Sequence, residues 1–214
     1  MGARHQLAVE IMIGEAQIKT VRPVDLVPTQ MTVGLREVNL KRLRWRERSS
    51  GEATSFLNKL RIPVVLGPNA RIYLIDRHHL TLALYDEGLR ELNASLIADF
   101  SAFSLGEFWA TLERQHWTHP FDSEGRQRCY QDMPETMDDL EDVPFRSLAG
   151  ALKRAGGFAK DKAPFSEFKW ADFLRWRIAR ELVERDFGRA LAKAMQLAQT
   201  TEAAALPGWR RFPD

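Results

Sequence analysis

The chain has 214 residues, 44% apolar and 28% charged, with a formal net charge of +2. That length builds one large domain or two small ones with a proper core, and so balanced a charge gives no global electrostatic case for a nucleic-acid binder. A single cysteine, Cys129, excludes an intramolecular disulfide and a Cys-rich zinc site, and fits a reducing compartment. Leu7 to Ile13, interrupted by Glu10, is too short and polar for a signal peptide, and no segment approaches the length of a membrane span. The expectation is a cytoplasmic protein with no membrane partner.

In chain order, Leu7, Val9, Ile11 and Ile13 alternate, as does Ile18 to Val21, so one or two strands are expected here. Pro23 and Pro28 break the chain around Asp25-Leu26-Val27. Val33 to Arg48 and Glu52 to Arg61 carry helical stripes. Ile62 to Leu66 and Arg71 to Ile75 flank Gly67-Pro68-Asn69-Ala70, the pattern of a hairpin. A helix from about His79 ends near Gly88, a left-handed cap residue, and Ala94 to Phe100 reads as a strand. Ser104 and Glu107 then form a capping box, with Phe103 and Phe108 as a hydrophobic staple.

After His119 the character changes. Acidic Gln131 to Asp142, with Pro134, reads as a connecting loop. Phe145, Leu148, Ala149 and Leu152 repeat at helical spacing up to Gly156-Gly157. Phe165 to Val183 reads as one amphipathic helix, with Phe168, Trp170, Phe173 and Trp176 as core, and Gly188 to Ala205 as another helix. The expected architecture is an α+β N-terminal domain over 1–118, a small mixed sheet with helices, followed by an all-helical domain over 119–214.

The most informative stretch is Ile72-Tyr-Leu-Ile-Asp76-Arg77-His78-His79-Leu80. An apolar run ends at Asp76 and a helical pattern begins at Leu80, so the carboxylate and both imidazoles lie at a strand-to-helix junction. Free backbone N–H groups and the positive end of the helix dipole make such a junction an anion site.

With the order Val24-Asp-Leu-Val-Pro-Thr29-Gln30, a helical region, Ile62-Pro-Val-Val65 and then this motif, residues 17 to 118 resemble the ParB/sulfiredoxin superfamily, and specifically its ParB-like nuclease group. The resemblance implies a ParB/sulfiredoxin-like fold and a site for nucleotide phosphates at the helix start. Partition proteins carry Gly-x-x-Arg there, sulfiredoxins Gly-Cys-His-Arg, and free serine kinases Asp-Gly-His-His-Arg. Asp76, His78 and His79 match the last of these by position. Arg77 replaces its glycine, which tightens backbone access, and Leu80 replaces its arginine, which removes a bidentate clamp. No cysteine occupies the motif, which excludes sulfiredoxin chemistry. Pro144-Phe-Arg-Ser-Leu-Ala149 and Glu167 to Arg175 resemble the same group, with no chemistry attached.

Each candidate has a plainer alternative. His78 and His79 bind phosphate or move a proton, or one caps the helix while the other packs; adjacent helical residues point about 100° apart and cannot share one task. Asp76 orients a histidine or acts as base, or is a helix cap. Glu37 lies where the kinase relatives place a catalytic carboxylate, with Gln30 the other candidate for that place, and Lys41 is within reach of a phosphate; both charged residues otherwise form a solvated helix face. The run Lys41 to Arg48 grips a nucleic-acid backbone, or pairs with acids such as Glu47 and Glu52. His116 and His119, with Asp122, loosely suggest a two-His-one-carboxylate site, but Pro120 spoils the helical geometry, so they are taken as pocket residues and no metal site is assigned.

Taken together, the catalytic candidates are Asp76, His78, His79 and Glu37, the phosphate-binding candidates are Arg77, His78, His79 and Lys41, and Gln30, His116 and His119 line the pocket. Arg146 and Lys160 of the helical half are further candidates for closing it. The expected ligand is a nucleotide or a small phosphate compound, with ATP or another nucleotide and magnesium as the implied cofactors. Nucleic acid is the competing partner. Phosphoryl transfer or nuclease-type chemistry is the expected activity, with a non-catalytic DNA-binding or nucleotide-sensing module as the alternative.

Overall fold

The computed structural model describes residues 17–210, so the strand expected at Leu7 to Ile13 lies outside the described residues. From the N-terminal side come β1 (Gln17–Val21), β2 (Leu26–Pro28), β3 (Thr32–Val33), α1 (Leu35–Arg46) and α2 (Ser50–Lys59). Then follow β4 (Ile62–Leu66), β5 (Ile72–Leu74), α3 (His78–Asp86), β6 (Leu92–Asp99) and α4 (Leu105–Arg114). The remainder is β7 (Glu141–Asp142), α5 (Pro144–Arg154), α6 (Ser166–Arg175), α7 (Arg180–Arg185) and α8 (Phe187–Leu197). The result is a mixed α/β architecture with a five-stranded sheet in the order β1-β6-β4-β5-β2. The β1–β6 and β4–β5 pairs are antiparallel, whereas β4–β6 and β2–β5 are parallel.

Alternation along the strands builds two cores, one on each face of the sheet. Leu26, Val64 and Leu74 face α1, α2 and α3 in a cluster with Val38, Leu60 and Leu84, while their neighbours Val27, Val65 and Tyr73 face α4 with Phe108, Trp109 and Leu112. A third cluster runs from Val143 to Ala203 around Leu148, Phe158, Trp170 and Leu174. The helical half touches the sheet half chiefly where α5 meets α1. Gly34 permits that approach, since a Cβ there would stand 2.4 Å from Ser147 Oγ and 2.6 Å from its backbone nitrogen.

The hairpin forms as its turn residues dictate, and both capping boxes, Ser49 with Glu52 and Ser104 with Glu107, close in both directions. Several expectations are corrected. The acidic connecting loop contains β7, which pairs in parallel with β3, and its Met133, Met137 and Leu140 sit in the two sheet cores. The helix expected from Phe165 to Val183 is two helices, α6 and α7, parted at Trp176 to Ala179. The turn delivers Ile178 to the helical core and leaves Trp176 83% exposed, so Trp176 is not a core residue. Similarly α8 stops at Leu197, and Thr201 to Ala205 continue as a short 3-10 turn. Among the described residues no helix is long and apolar enough to cross a membrane.

Candidate functional site

The chain leaves β5 through Asp76, whose carboxylate accepts the N–H of Arg77 at 2.6 Å. Arg77 adopts φ 67° and ψ 24° and is itself the cap residue of α3. This is the left-handed conformation that favours glycine, and holding a non-glycine residue in it costs about 1 kcal/mol. Asp76 therefore does not cap the helix by the usual side-chain route. The N–H groups of Leu80 and Thr81 both reach the Arg77 carbonyl at 2.9 Å, which leaves those of His78 and His79 as the donors without an intrahelical acceptor.

Both histidines are neutral acceptors. His78 Nε2 accepts the N–H of Thr29 at 3.2 Å and His79 Nε2 accepts the N–H of Gly34 at 3.0 Å. The two rings thus fasten both ends of the segment between β2 and α1 onto the first turn of α3. With Nε2 accepting, each neutral ring carries its hydrogen on Nδ1. Burial, and then the nearby Arg146 guanidinium, lower His78 to about 3, with the Leu74 carbonyl opposing. The same two causes hold His79 well below the ordinary imidazole value. Thr29 is a hub: its hydroxyl donates to the Leu74 carbonyl, and its own carbonyl accepts from Thr118 Oγ1 and the His119 N–H.

Opposite α3 stands Arg146, on the first turn of α5 and only 6% exposed. Its guanidinium lies 3.3 Å from the centroid of the Phe168 ring, and the His119 ring packs tilted against the same phenyl group, centroids 3.6 Å apart. One long contact, 3.4 Å to the Thr32 carbonyl, is the hydrogen bond it makes among the described residues, and its Nε has no partner among them. The nearest carboxylates are engaged elsewhere, Glu167 with Lys153 and Asp172 with Arg175. Burial, with Glu167 and Asp172 opposing, lowers Arg146 to about 10, and burial together with Arg146 lowers His119 to about 3. An arginine seldom goes this deep without a carboxylate, because the desolvated charge needs compensation.

A cavity of about 670 Å³ joins these groups, lined by Gln30, Asp76, Arg77, His78, His79, His116, Arg146 and the aromatic residues Trp117, Phe165 and Phe168. Arg77, His116 and Phe165 are three of the five described non-glycine residues with positive φ, and such backbone outliers gather at functional sites. His116 and His119 are not on a helix: α4 ends at Arg114 and His119 bridges to Gln30. Gln30 is itself buried and donates to the Thr32 carbonyl at 2.8 Å. Among the described residues no group of three or more His, Cys, Asp or Glu is placed to hold a metal ion.

Glu37 and Lys41 lie on the other side of His79, in an adjoining cavity of about 630 Å³ that also includes Lys160. Glu37 is buried and held by both guanidinium nitrogens of Arg154. Gly150 leaves room for it, since a Cβ there would sit 3.0 Å from the Glu37 carboxyl carbon. Arg42 and Arg46 pair with Glu87 rather than with Glu47 or Glu52.

Sequence reasoning missed Arg154 and the cavity roles of Phe165 and Phe168. The signal for Arg154 was its place on the apolar helix of Arg146, with Gly150 between; for the two phenylalanines there was none, because an aromatic at helical spacing reads as core.

Among solved structures, seven chains match. One of them, protein Atu1540 from Agrobacterium tumefaciens, is 49% identical with a TM-score of 0.88, covering 93% of this chain and 99% of its own. A search of curated proteins found no match. The model of the family described as "Putative ParB-like nuclease" matches residues 19–176, a span that contains β5, α3, Arg146 and Phe168. The chain belongs to this ParB-like nuclease family.

Proposed function

We propose that this protein binds the phosphate of a nucleotide or phosphodiester between the first turn of α3 and Arg146. The observation that carries this is the buried Arg146 guanidinium, with no carboxylate partner and a free Nε, beside the helix N–H groups of His78 and His79. A phosphate there receives backbone donors and the helix dipole from one side and a charge-assisted donor from the other. Arg77, at the mouth, adds a second cation. The 119–214 helices supply Arg146 and Phe168 to a site on the 1–118 unit, and we take the two as domains meeting at this cleft.

Phosphoryl transfer or phosphodiester cleavage is the chemistry we assign to the bound phosphate. His79 Nδ1 is its hydrogen-bond donor, since Nε2 is committed to Gly34 and the ring is neutral. Glu37 acts as base only once released from Arg154. Asp76 is exposed at the mouth, and its carboxylate fits a magnesium ion carried in on nucleotide phosphates, which would help to neutralise their charge. A second reading, a nucleotide-sensing module without catalysis, is favoured by the same engagement of Glu37 and of both Nε2 atoms.

Calorimetric titration of ATP, ADP and CTP, with and without magnesium, tests the phosphate site. Wild-type protein is expected to bind at least one of them. Arg146→Gln is expected to weaken it about thirtyfold or more, the worth of a charge-assisted hydrogen bond, whereas His78→Gln retains an acceptor for Thr29. Unchanged affinity in Arg146→Gln, or no nucleotide binding at all, overturns the proposal. Steeply salt-dependent binding to duplex DNA would instead point to nucleic acid. Turnover of the bound nucleotide separates catalysis from sensing.

A further inference from the structure

The Glu37–Arg154 pair has a consequence for Lys41. Glu37 and Lys41 are four residues apart on α1, the spacing at which a glutamate preceding a lysine forms a helix-surface pair. Here Glu37 turns instead to Arg154 and takes both of its guanidinium nitrogens. Lys41 is left half-buried, with no hydrogen bond and no ion pair among the described residues. Burial, with Glu37 opposing, lowers its ammonium below the ordinary lysine value. A lysine drawn from water without a partner carries an unmet desolvation cost, which an anion would offset.

The surroundings of Lys41 add positive charge at the rim, from the exposed Lys160 and Arg210. Both carboxylates of its cavity are already neutralised, Glu37 by Arg154 and Glu167 by Lys153. Among the described residues Lys160 and Arg210 have no carboxylate partner. Lys160 is held in place by the C-terminal segment: Ala159 N–H donates to the Gly208 carbonyl at 2.7 Å and Gly208 N–H donates to Asp161 at 3.1 Å. A Cβ on Gly208 would stand 2.2 Å from the Ala159 carbonyl oxygen, so glycine is required for that strap. The rim that carries Lys160 is therefore a fixed wall. The cavity adjoins the Arg146 cavity, sharing His79, Lys153 and Glu167 as lining.

We infer that the Lys41 cavity is a second oxyanion subsite, so that the complete site takes two anionic groups, one on each side of His79. This rests on the phosphate reading of the Arg146 cavity for the first group only. The second group is a phosphate or carboxylate from one of two sources, the distal phosphates of a nucleotide lying across His79 or a separate small acid beside a nucleoside monophosphate.

The test is calorimetric titration of AMP, ATP and inorganic phosphate into wild-type protein, Lys41→Gln, Lys160→Gln and Arg146→Gln. If the tail of one nucleotide fills the subsite, Lys41→Gln weakens ATP at least tenfold and leaves AMP within twofold. If a separate acid fills it, AMP and ATP are unchanged and inorganic phosphate binding to AMP-saturated protein is lost in Lys41→Gln. Lys160→Gln moves the same titration in the same direction by a smaller factor. A wild-type protein that fails to bind AMP, yet binds phosphate in a manner lost in Lys41→Gln, would remove the Arg146 site and leave this one standing. The inference is overturned if Lys41→Gln changes none of the three titrations, or if wild-type protein binds none of the three.

Discussion

Arg146 and Arg154 sit on the same helix, α5, and each faces one of the two adjoining cavities. They differ in what meets them. Arg154 is 41% exposed along its side chain and is held by a buried glutamate from α1. Arg146 is nearly fully buried and meets a phenyl face and one distant carbonyl. The first arrangement is self-sufficient and staples α5 to α1. The second leaves a buried charge with no ion-pair partner among the described residues, offset at a distance by Glu167 and Asp172. A buried ion pair can be complete in itself, whereas we propose that a buried arginine beside a helix N-terminus, without an ion-pair partner, serves a ligand.

The largest expected effect is on ligand affinity. Arg146→Met should lower AMP affinity by about a hundredfold, whereas Arg154→Met should change it by less than about fivefold, because only the first removes a direct donor to the single phosphate. Equal losses in the two variants would dissolve the contrast. Next, Gly34→Ala should cost about 3 kcal/mol in urea unfolding, since its Cβ collides with the backbone of Ser147 where α1 meets α5. A smaller cost, about 1–2 kcal/mol, is expected for Glu37→Gln: the pair is broken, but solvent reaches the Arg154 end and screens it.

The smallest effect near neutrality is on pH dependence. His78 and His119 titrate at about 3 in the fold against 6.5 for a free imidazole. Below about pH 6.5 the unfolded chain therefore takes up protons that the folded chain refuses until about pH 3. Stability should be flat above neutrality and fall as pH drops through that window. Arg146 contributes to both depressions, so Arg146→Met should make the fall shallower and Arg154→Met should not. Urea midpoints at pH 7.5 and pH 5.0 measure this, and identical slopes in the two variants would contradict it.

Much of the frame around the site was legible in the sequence because it is written in local chemistry. Gly67 to Ala70 between two β-branched runs gives the hairpin. Gly88 takes φ 79° after α3, and Ser104 with Glu107 closes a capping box. Asp76-Arg77-His78-His79 stood out at a strand-to-helix junction, and the junction is there. What could not be read was pairing across the chain. The β3–β7 contact joins residues more than a hundred positions apart, and nothing in Glu141-Asp142 announces a strand. The break between α6 and α7 carries no proline or glycine; burial of Ile178 imposes it. The engagement of both histidines by Thr29 and Gly34, and of Glu37 by Arg154, likewise depends on folding partners that no local pattern names.

The central claim, that the buried charge of Arg146 serves a ligand rather than the fold, is tested most directly by thermal unfolding of wild-type protein and Arg146→Met with and without AMP. Without ligand, Arg146→Met should be at least as stable as wild type, since an uncompensated buried charge is removed. At a hundred times the wild-type Kd, AMP should raise the wild-type Tm by about 5–10 °C, from about 2.7 kcal/mol of linkage in a chain of this size, and that of Arg146→Met, with its hundredfold lower affinity, by only about 1 °C. A ligand-free variant that melts well below wild type, together with an equal AMP shift in both proteins, would show that Arg146 holds the fold together and that the phosphate lies elsewhere.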